Sequence, residues 1–242
     1  MALGIRRGSA AEERPETEIR ELRDDEAISR FLRTRRAYAA YALGQLEPAL
    51  FRRTQWWVAK GPFGQALVLH SRGGLGSALL AMGERTALDS IMSLHPGPRT
   101  TYATCQPEHL DVLKKYYDFT SETPMMRMAV TANTFQPVDG ETVRLHGFNV
   151  PELNRLYSSE GNYTYYSERH IEEGLYRGVV VEGRLVAVAG THVISRAQGV
   201  AVVGNVFTHP HYRGAGFATL ATSAVTTELL EFCPDVVLTV DP

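Results

Sequence analysis

Cysteine is scarce in this chain. Only Cys105 and Cys233 occur among 242 residues, and they form neither a CxxC pair nor a metal-ligand spacing, so reduced, structural thiols are the expected state. Nothing near Cys105 supplies the base that would make it a nucleophile. No window approaches the apolar length of a membrane span, and Met1-Ala-Leu-Gly-Ile-Arg-Arg lacks the apolar core of a signal peptide. A cytoplasmic location with no membrane partner is the expectation. An excess of one charge is absent too: 25 Lys and Arg against 27 Asp and Glu give a formal net charge of -2. That balance gives no general case for a nucleic-acid partner. What the chain does have is 44% hydrophobic content, enough for one large domain or two of ordinary size.

Residues 1–23 are crowded with Arg and Glu and read as a flexible arm. A helix is expected from Asp24-Asp25-Glu26, with Arg30, Arg33, Arg35 and Arg36 on a solvated face. Gln55 to Ala59, Gln65 to His70 and Ser77 to Met82 are apolar runs separated by Gly-Pro and Gly-Gly breaks, the pattern of an antiparallel meander. A helix at Arg85 to Leu94, a strand at Thr101 to Thr104, a helix at Pro107 to Tyr117 and a strand at Met125 to Val130 complete a first domain, residues 24–133.

Thr131 to Gly140 has no periodicity and reads as a linker. The second domain, residues 134–242, is expected to hold a strand at Thr142 to Phe148 and a helix at Val150 to Ser158. Strands at Arg177 to Glu182 and Leu185 to Val193, joined at Gly183-Arg184, lead into a final β-α-β stretch. Both halves run antiparallel strands into a strand, a helix and a further strand, which suggests a duplicated α+β (α/β three-layer) domain with mixed, mostly antiparallel sheets flanked by helices. The second copy stops after its fifth strand. That would leave an edge and an apolar face open, to be met by a truncated gene, by cover from the first half, or by another subunit as in a homodimer.

Gly199 to Asp241 is the most informative stretch. Val200, Val202, Val203, Val206 and Phe207 read as a strand that ends before Pro210, and Phe217, Leu220, Ala221, Ala224 and Val225 read as one face of a helix ended by Pro234. Between them lies Arg213-Gly214-Ala215-Gly216, with no Ser, Thr, Asp or Asn to cap the helix. Its first N–H groups, the helix dipole and the Arg213 guanidinium suit a phosphate or pyrophosphate. The equivalent Met82-Gly83-Glu84-Arg85-Thr86 of the first half carries a carboxylate that would repel one, so only the second half is expected to bind the anion. A Walker A loop needs Gly-Lys-Ser/Thr where Phe217-Ala218-Thr219 stands. A Rossmann dinucleotide site, with Asp241 on a ribose, stays open, although Thr219 replaces its third glycine. His209-x-His211 without a third ligand makes no zinc site, and no metal is expected.

Tyr212-Arg213-Gly214-Ala215-Gly216-Phe217-Ala218, following Val206-Phe207-Thr208-His209-Pro210, resembles the acetyl-CoA pyrophosphate loop of the GCN5-related N-acetyltransferases (GNAT), Gln/Arg-x-x-Gly-x-Gly/Ala. Arg213, Gly216 and Ala218 match it. The resemblance covers about residues 141–242, with the first half as a degenerate copy, as in tandem members. It implies acetyl-CoA as cosubstrate, its pyrophosphate on Arg213, Gly214, Ala215, Gly216, Phe217, Ala218 and Thr219. It places the pantetheine along the backbone of Val206, Phe207 and Thr208, with the Phe207 N–H polarising the thioester carbonyl and Asn205 holding a water. The acetyl group would pass directly to a primary amine of a small molecule or protein N-terminus in a ternary complex. Glu168, Glu172, Glu173, Asp241, His192, His209 and His211 are candidate bases. The family's leaving-group tyrosine and its preceding Asn lie beyond the sequence, and Tyr163, Tyr165 and Tyr166 sit in a loop that suits packing more than an acceptor site. A non-catalytic acyl-CoA-binding or sensing module is the alternative, and a Rossmann oxidoreductase the third reading.

Overall fold

The computed structural model describes residues 17–72, 77–161 and 165–241. In chain order these form β1 (Glu18–Glu21), α1 (Asp25–Leu32), α2 (Ala40–Gly44), α3 (Pro48–Phe51), β2 (Thr54–Gly61), β3 (Gly64–Arg72), β4 (Ser77–Gly83) and α4 (Arg85–Leu94). There follow β5 (Tyr102–Thr104), α5 (Leu110–Leu113), β6 (Met126–Val130), β7 (Val143–Arg144), α6 (Val150–Tyr157) and α7 (Glu168–Glu173). The last are β8 (Arg177–Val181), β9 (Arg184–Ser195), β10 (Val200–Thr208), α8 (Phe217–Leu230) and β11 (Asp235–Val240). The chain divides into two compact units, Met1–Asp24 with Arg53–Phe119, and Asp25–Arg52 with Thr120–Pro242. This is an α+β protein built on two mixed sheets.

In the first unit the sheet runs β1-β2-β3-β4-β5. The expected meander forms, and β5 returns parallel to β4. The crossover helix α4 presses Leu88, Ile91 and Met92 onto Val68, Leu79 and Ala81, the helical spacing meeting the strand alternation. Residues 18–21 differ from the expected arm: they pair with Trp57 to Lys60 of β2 and bring Ile19 to the core. Residues 1–16 of that arm, and the Gly73-Gly74 turn, lie outside the described residues. The helix expected to Tyr117 stops at Leu113, and the Tyr116 hydroxyl instead donates to Asp89 at 2.8 Å.

In the second unit the order is β7-β8-β9-β10-β11-β6, with β10 and β11 the parallel pair. Ala187 and Ala189 of β9 face α8, where Ala221, Val225 and Leu229 pack, whereas the intervening Val188 joins Leu153, Leu156 and Tyr157 of α6. On that second face α2 also lies close, since a Cβ on Gly44 would stand 2.4 Å from Val193. The β8–β9 turn is centred on Glu182-Gly183, φ 51° and 74°, the both-positive pair of a type I′ hairpin, one residue earlier than expected. The strand expected at Thr142 to Phe148 shortens to β7, because Gly147 N–H donates to Glu172 Oε1 (2.6 Å) and His146 N–H to Asn149 Oδ1 (3.0 Å), turning the chain. α7 itself was not foreseen.

Two segments depart from the contiguous boundaries at 24–133 and 134–242. Residues 25–52 pack in the second unit, and Arg36, expected in solvent, forms an ion pair with Asp235 and donates to the carbonyls of Gln198 (2.6 Å) and Gly199 (2.7 Å). Ser29 Oγ donates to Gln198 Oε1 at 2.7 Å. β6, expected to finish the first half, pairs antiparallel with β11, Val236 opposite Val130 and Val240 opposite Met126. It covers the edge that the sequence left open. Removing Arg36 strands a carboxylate and two carbonyls, so Arg36→Ala should lower the unfolding free energy of the second unit by about 2 kcal/mol in urea titrations.

Candidate active site

β10 parts from one of its two neighbours. It pairs with β11 from Val200/Asp235 to Val203/Leu238, then continues to Thr208 on β9 alone, while β11 continues to Val240 on β6 alone. The parting coincides with a bulge: the β9 register shifts between Gly204 and Phe207, and Asn205 takes φ +52°. Asn is among the few non-glycine residues that tolerate this region. It is also held, because its Nδ2 donates to Tyr176 Oη at 2.9 Å and its carbonyl accepts from the Tyr157 hydroxyl.

The bulge corrects the expectation for Phe207. His209 N–H donates to Val186 O at 2.8 Å, so by antiparallel alternation the Phe207 amide points across to Val188 and Thr208 points to the open side. The Phe207 ring packs on Tyr157, centroids 5.2 Å apart. Val206 is exposed, and Thr208 Oγ1 is buried without a hydrogen-bond partner.

The strand leads through a 3-10 turn, Pro210–Tyr212, into the predicted loop. Gly214 and Gly216 sit at φ +79° and +80°, where side chains are strained, and a Cβ on either would meet nothing within 4 Å. Gly216 is the N-cap of α8 and offers no side-chain acceptor, so the first amides of a 14-residue helix, those of Phe217, Ala218 and Thr219, lack one. Ala215 bridges the two glycines at the exposed tip. Arg213 is not a free cation: Nη2 lies 2.6 Å from Glu160 Oε2 and Nε donates to Thr208 O at 3.2 Å. At the matching place in the first unit, Glu84 caps α4 by accepting from Thr86 N (2.8 Å) and Ala87 N (2.8 Å). Desolvation pushes the Glu84 carboxyl up, but these amides outweigh it and hold its pKa below the usual value.

On the α6 and α2 side of the sheet, two glycines face each other, Gly190 of β9 opposite Gly204 of β10. With no side chains there, two rings lie on the strands. A Cβ on Gly190 would stand 2.2 Å from the Tyr176 ring, and one on Gly204 2.0 Å from the His192 ring. Tyr41 of α2 flanks His192 at 5.9 Å between centroids, and Tyr166 stacks on Tyr157 at 4.8 Å. Burial drives the Tyr157 phenol far above its ordinary value, and burial with the neighbouring Tyr166 pushes Tyr176 up to about 12. Both therefore stay protonated near neutrality. Burial also lowers the His192 pKa, leaving a neutral imidazole.

Residues 144–242 match the acetyltransferase (GNAT) family model. The second half of the chain belongs to the GNAT superfamily. A GCN5-related N-acetyltransferase from Kribbella flavida is similar in fold, at TM-score 0.58 and 17% identity over 84% of each chain. A Drosophila protein superposes at TM-score 0.59 with 12% identity, over 92% of this chain and 89% of its own. A GCN5-related N-acetyltransferase from Sphaerobacter thermophilus gives 0.50 with 15% identity, over 93% and 87%. No curated protein matches. These likenesses extend over most of the chain, and its two sheets are consistent with two GNAT-like domains.

Within the GNAT half the other candidate bases lie on α7, after β11 and in the turn at Pro210. Glu168, Glu172 and Glu173 lie on α7, Glu172 accepting from Gly147 N–H and Glu173 pairing with Arg169 at 2.7 Å. Asp241 is exposed after β11, and His211 N–H donates to the His209 ring at 3.3 Å in the turn. Tyr165 is exposed, Tyr166 joins the ring stack, and Tyr163 lies outside the described residues. Among the described residues no group of three His, Cys, Asp or Glu is placed to hold a metal ion. Tyr41, Tyr157 and Tyr176 were missed because each reads as an ordinary packing residue; the facing glycines were a signal, hidden by their separation in sequence. Gly190→Ala should force the Tyr176 ring off the sheet, lower stability by about 1–3 kcal/mol, and shift tyrosine near-UV circular dichroism.

Proposed function

We propose that the GNAT half is an acetyl-CoA-dependent N-acetyltransferase, which passes an acetyl group directly to a primary amine in a ternary complex. The observation that carries this reading is the parting of β10 from β11 just before the Arg213–Gly216 loop and the uncapped start of α8. An opened strand edge can pair with an extended amide chain, and a helix N-terminus with glycines before it can hold a pyrophosphate. The fit is supported by the partnerless Thr208 Oγ1 beside that edge and by the open space around Gly214 and Gly216.

In this reading Gly214, Ala215, Gly216, Phe217, Ala218 and Thr219 present backbone N–H groups to the pyrophosphate. Arg213 adds its charge after exchanging Glu160 for phosphate oxygens. Val206 and Thr208 supply the pairing edge. The N–H that polarises the thioester carbonyl is assigned to Val206, since that of Phe207 is directed at Val188. Asn205 holds the bulge open rather than holding a water. The acceptor is an amine on a small molecule or a protein N-terminus.

Calorimetric titration with acetyl-CoA tests the site. Arg213→Ala should weaken binding by roughly ten- to a hundredfold, the effect of losing about 1.5–3 kcal/mol of hydrogen bonding to a charged group, and Gly216→Val should weaken it further through its strained φ. Glu160→Gln, which removes the competing carboxylate, should tighten it severalfold. Unchanged affinity in Arg213→Ala would sink the assignment. Binding without thiol release over a panel of primary amines would give the same site to acyl-CoA sensing instead.

A further inference from the structure

The acetyltransferase reading leaves the amine's proton without a destination. A protonated amine has no lone pair for attack, so a base must stand beside the opened strand. Of the carboxylates named from the sequence, Glu172 and Glu173 are engaged on α7, Glu168 is exposed at its start and Asp241 is exposed after β11, while Glu160 is held by Arg213. His192 is different in placement. It falls within a register shift of β9, between Val202/Val193 and Val203/Thr191, and that irregularity turns its ring across Gly204, the residue just before the bulge. Its ring is half-buried, flanked by Tyr41, and no hydrogen bond or ion pair of the described structure engages its nitrogens.

We propose that His192 is the general base that receives the acceptor amine's proton. The proposal rests on the acetyltransferase reading and adds the residue on which its chemistry turns. His192 takes one proton from the ammonium; the nitrogen lone pair then forms the C–N bond at the thioester carbonyl carbon. The C–S bond breaks with its electron pair on sulfur, and the second proton leaving nitrogen neutralises the thiolate. The proton on His192 passes to water, so the products are the amide, the free thiol and one proton. Gly204 is what admits the ring, because any Cβ there would occupy its place.

The surroundings keep the imidazole neutral. Tyr41 of α2 faces it and is itself held protonated by burial, and Arg127 of β6 lies beyond, 5.3 Å over the Tyr41 ring. From β10 come uncharged Gly204 and Asn205. Burial without a facing carboxylate lowers the His192 pKa, so rate should rise with pH to a plateau whose inflection lies below the ordinary histidine value.

The test compares wild type with His192→Gln, using acetyl-CoA titration and thiol release across a panel of ethanolamine, lysine, spermidine and an alanine-initiated peptide. The expected result is an acetyl-CoA affinity within about twofold of wild type, kcat/KM lower by about a hundredfold or more, and loss of the acid limb of the pH profile. In His192→Ala, added imidazole should restore part of the rate, which separates a lost base from a damaged fold. A His192→Gln enzyme that keeps its rate and its acid limb overturns the proposal. So does a wild type that binds acetyl-CoA yet releases thiol with no amine, although that result leaves the cofactor site standing; a wild type that does not bind acetyl-CoA removes both.

Discussion

A strand in the middle of a sheet can keep both neighbours only while its backbone stays regular, and β10 does not. One left-handed residue, Asn205, ends the pairing with β11 while β9 follows through a shifted register. Such a conformation costs on the order of 1–3 kcal/mol and persists only where its surroundings over-determine it. Here they do: Tyr157 and Tyr176 bind the Asn205 carbonyl and amide, α6 supplies Tyr157, and Gly190 makes room for the Tyr176 ring. The second hydrophobic cluster of this unit, with Leu153, Leu156 and Val188, is thereby a support for the opening as much as a core. The strain is local and its restraints are distributed.

The two units show what one residue does to the start of a crossover helix. Each sheet holds one parallel pair joined by such a helix, α4 in one and α8 in the other. In the first, Glu84 turns the carboxylate back onto the helix and satisfies its leading amides internally. In the second, glycine leaves those amides to whatever approaches. Identical backbone chemistry is closed in one place and available in the other.

What could be read from the sequence was what is encoded locally. The β2–β3–β4 meander, α4, α6 and the strand, loop and helix around Arg213 follow from alternation, glycine placement and the absence of a cap, all within a few residues. The expectations that failed depend on partners far along the chain. Arg36 looked like a solvated charge because Asp235 and the Gln198 and Gly199 carbonyls are 199, 162 and 163 positions away. β6 was assigned to the wrong sheet for the same reason. The direction of the Phe207 amide turned on a one-residue bulge, which no pattern of apolar residues reports. His192 was one name among several until the β9 irregularity set its ring against Gly204.

The chain's path carries a consequence for synthesis. Asp25 to Arg52 leaves the ribosome before any strand of the second sheet, and α2, whose Leu43 is fully buried when folded, packs against β9 and β10 only once both have been made. The first unit, by contrast, can close its sheet soon after β5 emerges. An early helical segment must therefore wait, apolar side outward, while a later neighbour folds between it and its destination. No single cut separates the units, so they cannot be exchanged as cassettes the way sequential domains can: a contiguous piece that keeps the first whole carries the helical segment 25–52 of the second, and one that keeps the second whole carries residues 53–119 of the first.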